Sequence, residues 1–202
     1  DIGGSAKGIV KSGDYIYITD STTGLVIYNV RDINRPGEMG RCPLSGESGG
    51  IYVRGDYAYV AAGEEGLHIV SISDPDNPVL KYTYDSPGIA KNVFADNIHA
   101  IIADYNEGIT ILNITNPENP EFIKKFTTLS YAQVVYKIDN HIFVQDSGSR
   151  LEYIYMSDPS NPRSLGYYGM PYSLYKNVLR NKYAFIPAGE SGLIIQDYFN
   201  TG

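Results

Sequence analysis

Residues 108–120 read GITILNITNPENP: a glycine, a run of mostly apolar residues, and a turn closed by two prolines. The same pattern recurs at residues 66–78, at residues 24–36 without the first proline, and at residues 150–162 with Arg150 in place of the glycine. Its first half recurs at residues 192–195. Successive copies are 42 residues apart. A fixed period of this length is typical of proteins in which each repeat forms one small β-sheet and stacks on its neighbours.

Each repeat divides into four predicted strands. The second strand alternates aromatic or branched residues with smaller ones, as at residues 57–60, which suits a strand with two different faces. The third strand is apolar on both faces and must be covered on both, whereas the fourth, as at residues 79–84, is more polar, like an outer edge strand. The pattern predicts an all-β fold, a five-bladed β-propeller with blades of four antiparallel strands.

Tight turns separate these strands. Pairs such as Gly13-Asp14 and Asp96-Asn97 are predicted to join the first and second strands, because these residues tolerate the backbone of a two-residue hairpin. The predicted repeats cover about residues 5–45, 49–86, 89–128, 132–169 and 174–199 of a single domain, residues 1–202. The fifth repeat lacks an outer strand of its own in this chain, so we expect the native protein to extend upstream of Asp1.

The composition narrows the classes of function. The net charge is -7 over 202 residues, whereas nucleic-acid binders need clustered Lys and Arg, so no nucleic-acid partner is expected. No apolar run approaches the roughly 18 residues that cross a bilayer. The single cysteine, Cys42, has no partner for a disulfide or a metal site and is interpreted as a small apolar side chain. The chain has no Trp, which excludes the Trp-Asp signature of WD40 propellers.

The repeats resemble a known family. The Gly-Leu-x-Ile core of the third strand, Tyr-Ala-Tyr-Val at residues 57–60 and the Asp-Pro-x-Asn-Pro turn are similar to the LVIVD repeats of bacterial and archaeal β-propeller proteins, and in outline to YVTN-type surface-layer propellers. The resemblance covers essentially the whole chain. It implies an extracytoplasmic protein, at the cell surface or secreted, with no known activity. Residues 32–36 and 150–154 depart from the pattern, so locally irregular blades are expected there.

Acidic residues recur in the predicted loops between second and third strands. They are Asp20, Glu64, Glu65, Asp104, Glu107, Asp146 and Glu190. A carboxylate pair could bind a cation or hydrolyse a glycosidic bond, which gives the alternative function, a carbohydrate-active hydrolase or lyase using the acidic rim. The competing interpretation is that Glu-x-Gly is a repeated turn whose acids are solvated. Repetition favours the turn, because catalytic acids differ between blades, and no catalytic residue is assigned.

The histidines and glycine-rich segments predict no cofactor. His68, His99 and His141 lie at different strand positions and have no acid or cysteine at metal-ligand spacing, so no metal site is expected. Neither a Gly-x-Gly-x-x-Gly loop nor a Walker loop is present.

The predicted first strands carry one departure from the repeat. Counted back from the second strand, Asn92 and Asn177 align with Ile9, Ile51 and Val135, and Lys91 and Lys176 align with Gly8, Gly50 and Val134. First strands line the central channel of a propeller, so two Lys-Asn pairs there could bind an anionic or hydroxylated ligand. The competing interpretation is that the lysines neutralise the acidic rim or hold water in the channel.

Three tyrosines complete the predicted site. Tyr105, Tyr131 and Tyr172 lie in predicted loops, where flat amphipathic side chains suit contacts with sugars and proteins. We therefore predict a non-enzymatic extracytoplasmic module that binds a protein or carbohydrate ligand at its rim or channel. The predicted ligand-binding residues are Lys91, Asn92, Lys176, Asn177, Tyr105, Tyr131 and Tyr172.

Overall fold

A computed structural model of the chain describes residues 4–148, 150–169, 178–180, 183–187 and 192–197. Every regular element in this part of the chain is a β-strand. The strands form five antiparallel sheets in chain order: four have four strands each, and three strands of the fifth are described. The prediction of an all-β fold with four-stranded antiparallel units is confirmed.

Within each sheet the strands follow one another in sequence order. The first sheet contains β1 (Ala6–Ser12), β2 (Tyr15–Asp20), β3 (Gly24–Asn29) and β4 (Gly37–Cys42). The second contains β5 (Ile51–Arg54), β6 (Tyr57–Ala61), β7 (Leu67–Ser71) and β8 (Val79–Tyr84). The third contains β9 (Asn92–Ala95), β10 (His99–Ala103), β11 (Ile109–Asn113) and β12 (Glu121–Phe126). The fourth contains β13 (Ala132–Ile138), β14 (His141–Asp146), β15 (Arg150–Tyr155) and β16 (Arg163–Gly169). The fifth contains β17 (Val178–Arg180), β18 (Tyr183–Pro187) and β19 (Leu193–Asp197).

The turns form as their residues dictate. Gly13 and Gly55 adopt φ values of 56° and 55° in the hairpins between first and second strands, a region that glycine enters without steric cost. In the proline-rich turn after β7, the side chain of Asp74 accepts a hydrogen bond from the Asp76 backbone N–H at 3.1 Å. This Asx turn ends the third strand and sets the direction of the fourth.

One predicted turn is wrong by a residue, and the error changes the alignment of the channel residues. Ala100 pairs with Ala95, so the hairpin of the third sheet is Asn97-Ile98 and not Asp96-Asn97. Asp96 instead lies directly after β9 and stabilises the turn. Its carboxylate accepts hydrogen bonds from the Ile98 and His99 N–H groups at 2.8 and 2.7 Å.

The corrected register changes the alignment of Lys91 and Asn92 with the other repeats. Asn92 lies opposite Ala103, as Gly8 lies opposite Thr19 and Val134 opposite Gln145. Asn92 therefore aligns with Gly8 and Val134, and not with Ile9 and Val135 as predicted. The alignment of Lys91 with Gly8 and Val134 is wrong for the same reason.

The core lies between successive sheets. We call the face that a sheet turns toward the next sheet its front face and the opposite face its rear face. The front face of the first sheet, with Leu25 and Ile27, packs on the rear face of the second, with Ala58 and Val60. The same front-to-rear packing joins the second sheet to the third and the third to the fourth. The first four sheets are thus held together by repeated apolar interfaces, as expected for strands that are apolar on both faces.

The first strands of neighbouring sheets lie side by side. β1 contacts β5, β5 contacts β9, and β9 contacts β13. Hydrogen bonds join them: Thr19 Oγ1 donates to Gly49 O at 2.7 Å, and the Gly50 N–H donates to Lys91 O at 3.1 Å. Residues of these strands line a cavity of about 590 Å³, which is the candidate site.

Local irregularity was expected in the first and fourth sheets, where residues 32–36 and 150–154 depart from the repeat. Both sheets form all four strands. Each nevertheless has a register shift between its first and second strands, at residues 6–8 and 132–134, that the second and third sheets do not show.

Candidate functional site

Three of the predicted site residues meet at the edge of the cavity. Tyr105 lies in the turn between β10 and β11, and Tyr131 immediately precedes β13. Their rings stack with centroids 4.8 Å apart and an interplanar angle of 31°. We call this pair the tyrosine platform. The ammonium of Lys91, which immediately precedes β9, lies 5.5 Å from the centre of the Tyr105 ring.

The backbone fixes the tyrosine platform. Tyr105 adopts a φ of 49°, unusual for a residue with a side chain, and its carbonyl accepts a hydrogen bond from the Ala132 N–H at 2.9 Å. The Tyr131 carbonyl accepts a hydrogen bond from the Ser147 N–H at 3.0 Å. Two neighbouring repeats therefore hold the two rings against each other, while the Tyr131 side chain stays 49% exposed.

Lys91 is held by its backbone and not by an ion pair. Its N–H donates to Ala103 O at 2.9 Å, and its carbonyl accepts from the Gly50 N–H. Its ammonium lies within ion-pair distance of no carboxylate among the described residues. The charge is thus available to a ligand, apart from its contact with the Tyr105 ring.

Asn92 has a structural contact that the sequence did not predict. Its Oδ1 accepts a hydrogen bond from the Val135 backbone N–H at 3.2 Å, across the boundary between the third and fourth sheets. A Cβ at Gly50 would lie 2.3 Å from Asn92 Nδ2, so the absence of a side chain at Gly50 makes room for this amide. Asn92 therefore links β9 to β13 as well as lining the cavity.

The cavity is lined by basic, neutral polar and apolar side chains. Its polar lining residues are Lys7, Lys91, Asn92, Gln133, Gln145, Tyr52 and Tyr136. None of the described residues that line it is acidic, although the chain carries a net charge of -7. Burial raises the pKa of Tyr136 from its ordinary value of 10 to about 12, so its phenol stays protonated even at moderately alkaline pH.

Comparison with known proteins identifies the repeat. A family model described as the LVIVD repeat matches residues 3–43, 45–86 and 87–128. The chain belongs to the LVIVD repeat family. The predicted resemblance is thereby confirmed.

The LVIVD repeat protein also resembles a solved structure. A functionally unknown protein from Desulfotomaculum acetoxidans DSM 771 matches with a TM-score of 0.79 and 14% sequence identity, over 96% of this chain and 69% of that one. At this identity the likeness concerns the fold alone. No curated protein matches the chain. The described part of the chain contains no helix that is long and apolar enough to cross a membrane.

The recurrent acids of the LVIVD repeats are more buried than the sequence suggested. Asp20, Asp104 and Asp146 occupy the same repeat position at the end of the second strand or directly after it, and all three are buried, so the interpretation of solvated acids is wrong for them. Asp146 accepts hydrogen bonds from the Gly148 and Arg150 N–H groups and from Arg150 Nε. The interpretation that these acids belong to the loop structure is supported by such contacts.

Asp104 lies directly before Tyr105 of the tyrosine platform. Ser86 Oγ donates to its Oδ1 at 2.7 Å and Thr110 Oγ1 donates to its Oδ2 at 2.9 Å. Burial raises the pKa of the Asp104 carboxyl, and the two hydroxyl hydrogen bonds only partly oppose this shift. Of the other loop acids, Glu64 and Glu65 are exposed, and Glu107 pairs with Lys125 at 2.5 Å.

Two further buried polar side chains fix the connections between repeats. His68 Nε2 donates to Ser45 O at 3.0 Å, and His68 Nδ1 accepts from Thr83 Oγ1 at 2.9 Å. At the same position of the fourth repeat, Glu152 accepts from the Leu129 N–H at 2.9 Å and from Ser164 Oγ at 2.7 Å. The sequence indicates such contacts through the position of these residues in the apolar third strand, because a polar side chain there must have a buried hydrogen-bond partner.

Residues 46–50, Gly-Glu-Ser-Gly-Gly, match the Gly-x-Ser-x-Gly pattern of hydrolase nucleophiles. That pattern requires a turn from a strand into a helix, whereas this segment connects β4 to β5. Ser48 is buried and its Oγ has no hydrogen-bond partner, so no base is positioned to activate it. Within the described residues, no group of three or more His, Cys, Asp or Glu side chains is arranged to hold a metal ion.

Four predicted residues have no described position. Lys176, Asn177 and Tyr172 of the predicted binding site, and Glu190 of the acidic loops, lie outside the described residues.

Proposed function

We propose that this protein is a non-enzymatic binding module that acts outside the cytoplasm and binds an acidic glycan at the tyrosine platform and the adjoining cavity. The observation that carries the proposal is the contact of three side chains from two repeats. Tyr131 stacks on Tyr105, and the Lys91 ammonium lies 5.5 Å from the centre of the Tyr105 ring.

The platform combines the two contacts that an acidic sugar needs. The flat face of an exposed tyrosine packs against the apolar face of a sugar ring, and its hydroxyl binds a sugar hydroxyl. A lysine ammonium binds the carboxylate through charge-assisted hydrogen bonds, which are roughly twice as strong as neutral ones. The amides of Asn92 and Gln133 in the adjoining cavity can bind further hydroxyl groups.

The alternative function, a carbohydrate-active hydrolase or lyase, has less support. A glycosidase needs two carboxyl groups on either side of the bond that it cleaves. Asp104 is buried and accepts hydrogen bonds from Ser86 and Thr110. Asp146 is buried and bonded to Arg150, and Glu107 is paired with Lys125. These contacts favour a structural role for the loop acids over catalysis.

We further propose that the five sheets are blades of a β-propeller and that the cavity is part of its central channel. The repeated strand order, the front-to-rear packing and the side-by-side first strands support this arrangement. The extracytoplasmic location is inferred from membership of the LVIVD family.

A glycan array followed by titration tests the binding proposal. We expect the purified protein to retain oligosaccharides that contain uronic acids and to release them when Tyr131 is replaced by Ala. Phe122→Ala is the control, because Phe122 is an aromatic residue that is 56% exposed and lies on the outer strand β12.

Three results would count against the proposal. They are retention of no acidic glycan, equal loss of binding in Tyr131→Ala and Phe122→Ala, and turnover of chromogenic glycosides that Asp104→Asn abolishes. The last result would establish the hydrolase alternative. Selective retention of a protein ligand at the platform would keep the site and replace the ligand class.

A further inference from the structure

One layer of the cavity is built from the same position of successive repeats. Its members are 42 residues apart: Lys7, Gly49, Lys91 and Gln133. The backbone shows the equivalence, because the Gly49 N–H donates to Ala61 O at 2.6 Å and the Lys91 N–H donates to Ala103 O at 2.9 Å, and the two acceptors are themselves one repeat apart. All members of the layer except Gly49 line the cavity.

Lys7 is an extra residue in its strand. The pairing of β1 with β2 passes from Ala6 opposite Asp20 directly to Gly8 opposite Thr19, so Lys7 has no partner on β2. An extra residue of this kind forms a β-bulge, which changes the direction of a side chain and is common beside binding sites. The bulge therefore accounts for the position of Lys7 in the lining of the cavity.

The cavity thus contains two ammonium groups without a counterion. Lys7, like Lys91, lies within ion-pair distance of no carboxylate among the described residues. The described residues that line the cavity also include no acid. Because the two positive charges repel each other in the free protein, a ligand with two negative charges is favoured over a ligand with one.

Only glycine separates the two lysines within this layer. β5 lies between β1 and β9 and contacts both, and Gly49 and Gly50 directly precede it. A Cβ at Gly49 would lie 2.9 Å from Lys91 O, and a Cβ at Gly50 would lie 2.3 Å from Asn92 Nδ2, so neither position has room for a side chain. The space between Lys7 and Lys91 is therefore left open by the second repeat.

We propose that the cavity binds a polyuronate through the acid groups of two of its sugars. Lys91 binds the carboxylate of the sugar on the tyrosine platform, and Lys7 binds that of a further sugar along the chain. This inference rests on the proposed binding of an acidic glycan and specifies the ligand as one with acid groups on more than one sugar. Each ammonium contributes a charge-assisted hydrogen bond, so contact with both strengthens binding by about tenfold or more over contact with one.

Titration with galacturonate oligomers of one to four sugars, followed by isothermal calorimetry, tests the inference. We expect the affinity to rise by about tenfold or more at the length that first reaches both lysines, and to change little with one more sugar. The affinity of that oligomer should fall more steeply with added salt than the affinity of the monosaccharide, because it makes two charge contacts. The fully methyl-esterified oligomer has the same length without the charges and should show no such rise.

Variants of Lys7 separate the two contacts. Lys7→Ala should remove the rise in affinity with length and leave binding of the monosaccharide unchanged, whereas Lys7→Arg keeps the charge and should keep the rise. Lys11→Ala is the matched control on the same strand. Lys11 Nζ donates to Gly13 O at 2.6 Å, and Lys11 is not among the described residues that line the cavity. Circular dichroism establishes that each variant remains folded.

The possible failures are distinguishable. Equal affinities for all lengths that Lys7→Ala leaves unchanged would overturn the contact with Lys7 and leave the acidic-glycan site at the tyrosine platform intact. Equal losses for the monosaccharide and the oligomers in Lys7→Ala would also overturn it, since both lysines would then bind one acid group. Failure of every uronate to bind the wild type would overturn the proposed function itself, and this inference with it.

Discussion

Asn92 Oδ1 accepts a hydrogen bond from the backbone N–H of Val135 at 3.2 Å, so a side chain on β9 holds β13 of the next sheet. β9 and β13 belong to different sheets and do not pair as strands, so this side-chain hydrogen bond connects them. The candidate site therefore contains two kinds of residue: Asn92 maintains the position of the first strands, while Lys91 and the tyrosine platform are available to a ligand.

Asn92→Ala should lower the free energy of unfolding by about 1–3 kcal/mol, because it leaves the Val135 N–H without its partner in a partly buried place. Urea unfolding measures the loss. Asn97→Ala is the control, since Asn97 is an exposed turn residue that accepts a hydrogen bond from Arg54, and it should change stability by no more than about 0.5 kcal/mol. Equal losses in the two variants would show that the Asn92 bond contributes nothing specific.

Lys91→Ala should reduce affinity for uronic-acid oligosaccharides by about tenfold or more, which corresponds to the loss of one charge-assisted hydrogen bond. Its melting temperature should stay near that of the wild type, because the ammonium has no carboxylate partner among the described residues. The affinity of the wild type should also fall with added salt. Lys124→Ala, an exposed lysine on β12, provides the control. Unchanged affinity with a lower melting temperature would make Lys91 a structural residue.

Strand positions were predictable because the repeat specifies them several times over. The fourth strands at residues 79–84 and 121–126 form with the predicted bounds, since a proline-rich turn defines where each begins. The contact of Lys91 with the tyrosine platform was not predictable in detail. This contact depends on the positive φ of Tyr105, and local sequence patterns do not predict a positive φ at a residue other than glycine.

The register of Asn92 shows how a sound pattern led to a wrong alignment. The third repeat has Ile98 where the others have a polar turn residue, so the apolar side chain at the turn resembles the start of a strand. The carboxylate of Asp96 stabilises the turn there, and Ile98 stays 51% exposed. Counting from the 42-residue period itself, and not from the apparent strand start, gives the observed pairing.

Gly66→Ala should destabilise the protein far more than Gly13→Ala. Both glycines have positive φ, which costs a residue with a side chain about 1–2 kcal/mol. A Cβ at Gly66 would in addition lie 2.2 Å from the Tyr84 carbonyl oxygen, whereas a Cβ at Gly13 would meet no atom within 4 Å. We expect a loss of about 1 kcal/mol for Gly13→Ala and of at least about 3 kcal/mol for Gly66→Ala, measured by urea unfolding. Similar losses for the two variants would show that β8 shifts away from a Cβ at residue 66 without any loss of stability.

Asp104→Asn should make the protein more stable at neutral pH and should flatten the pH dependence of its stability. Burial raises the pKa of Asp104 above its ordinary value of 3.8, so the folded protein binds a proton that the unfolded chain releases. The unfolded state therefore binds fewer protons than the folded state over this range, and stability falls as pH rises from 3.8 through the folded pKa. Above that window the folded protein carries a buried carboxylate, whose cost the hydrogen bonds from Ser86 and Thr110 only partly offset.

An asparagine keeps a side-chain oxygen that accepts from one hydroxyl and an amide that donates to the other, and it carries no charge. Urea unfolding of the wild type and of Asp104→Asn across this range should give curves that converge at acidic pH and separate as pH rises, with the variant more stable. Glu65→Gln, at an exposed acid of the second repeat, should leave the wild-type curve unchanged. A variant that is less stable than the wild type at every pH would mean that Asp104 is ionised without penalty, and that its carboxylate supports the turn beneath the tyrosine platform through its charge.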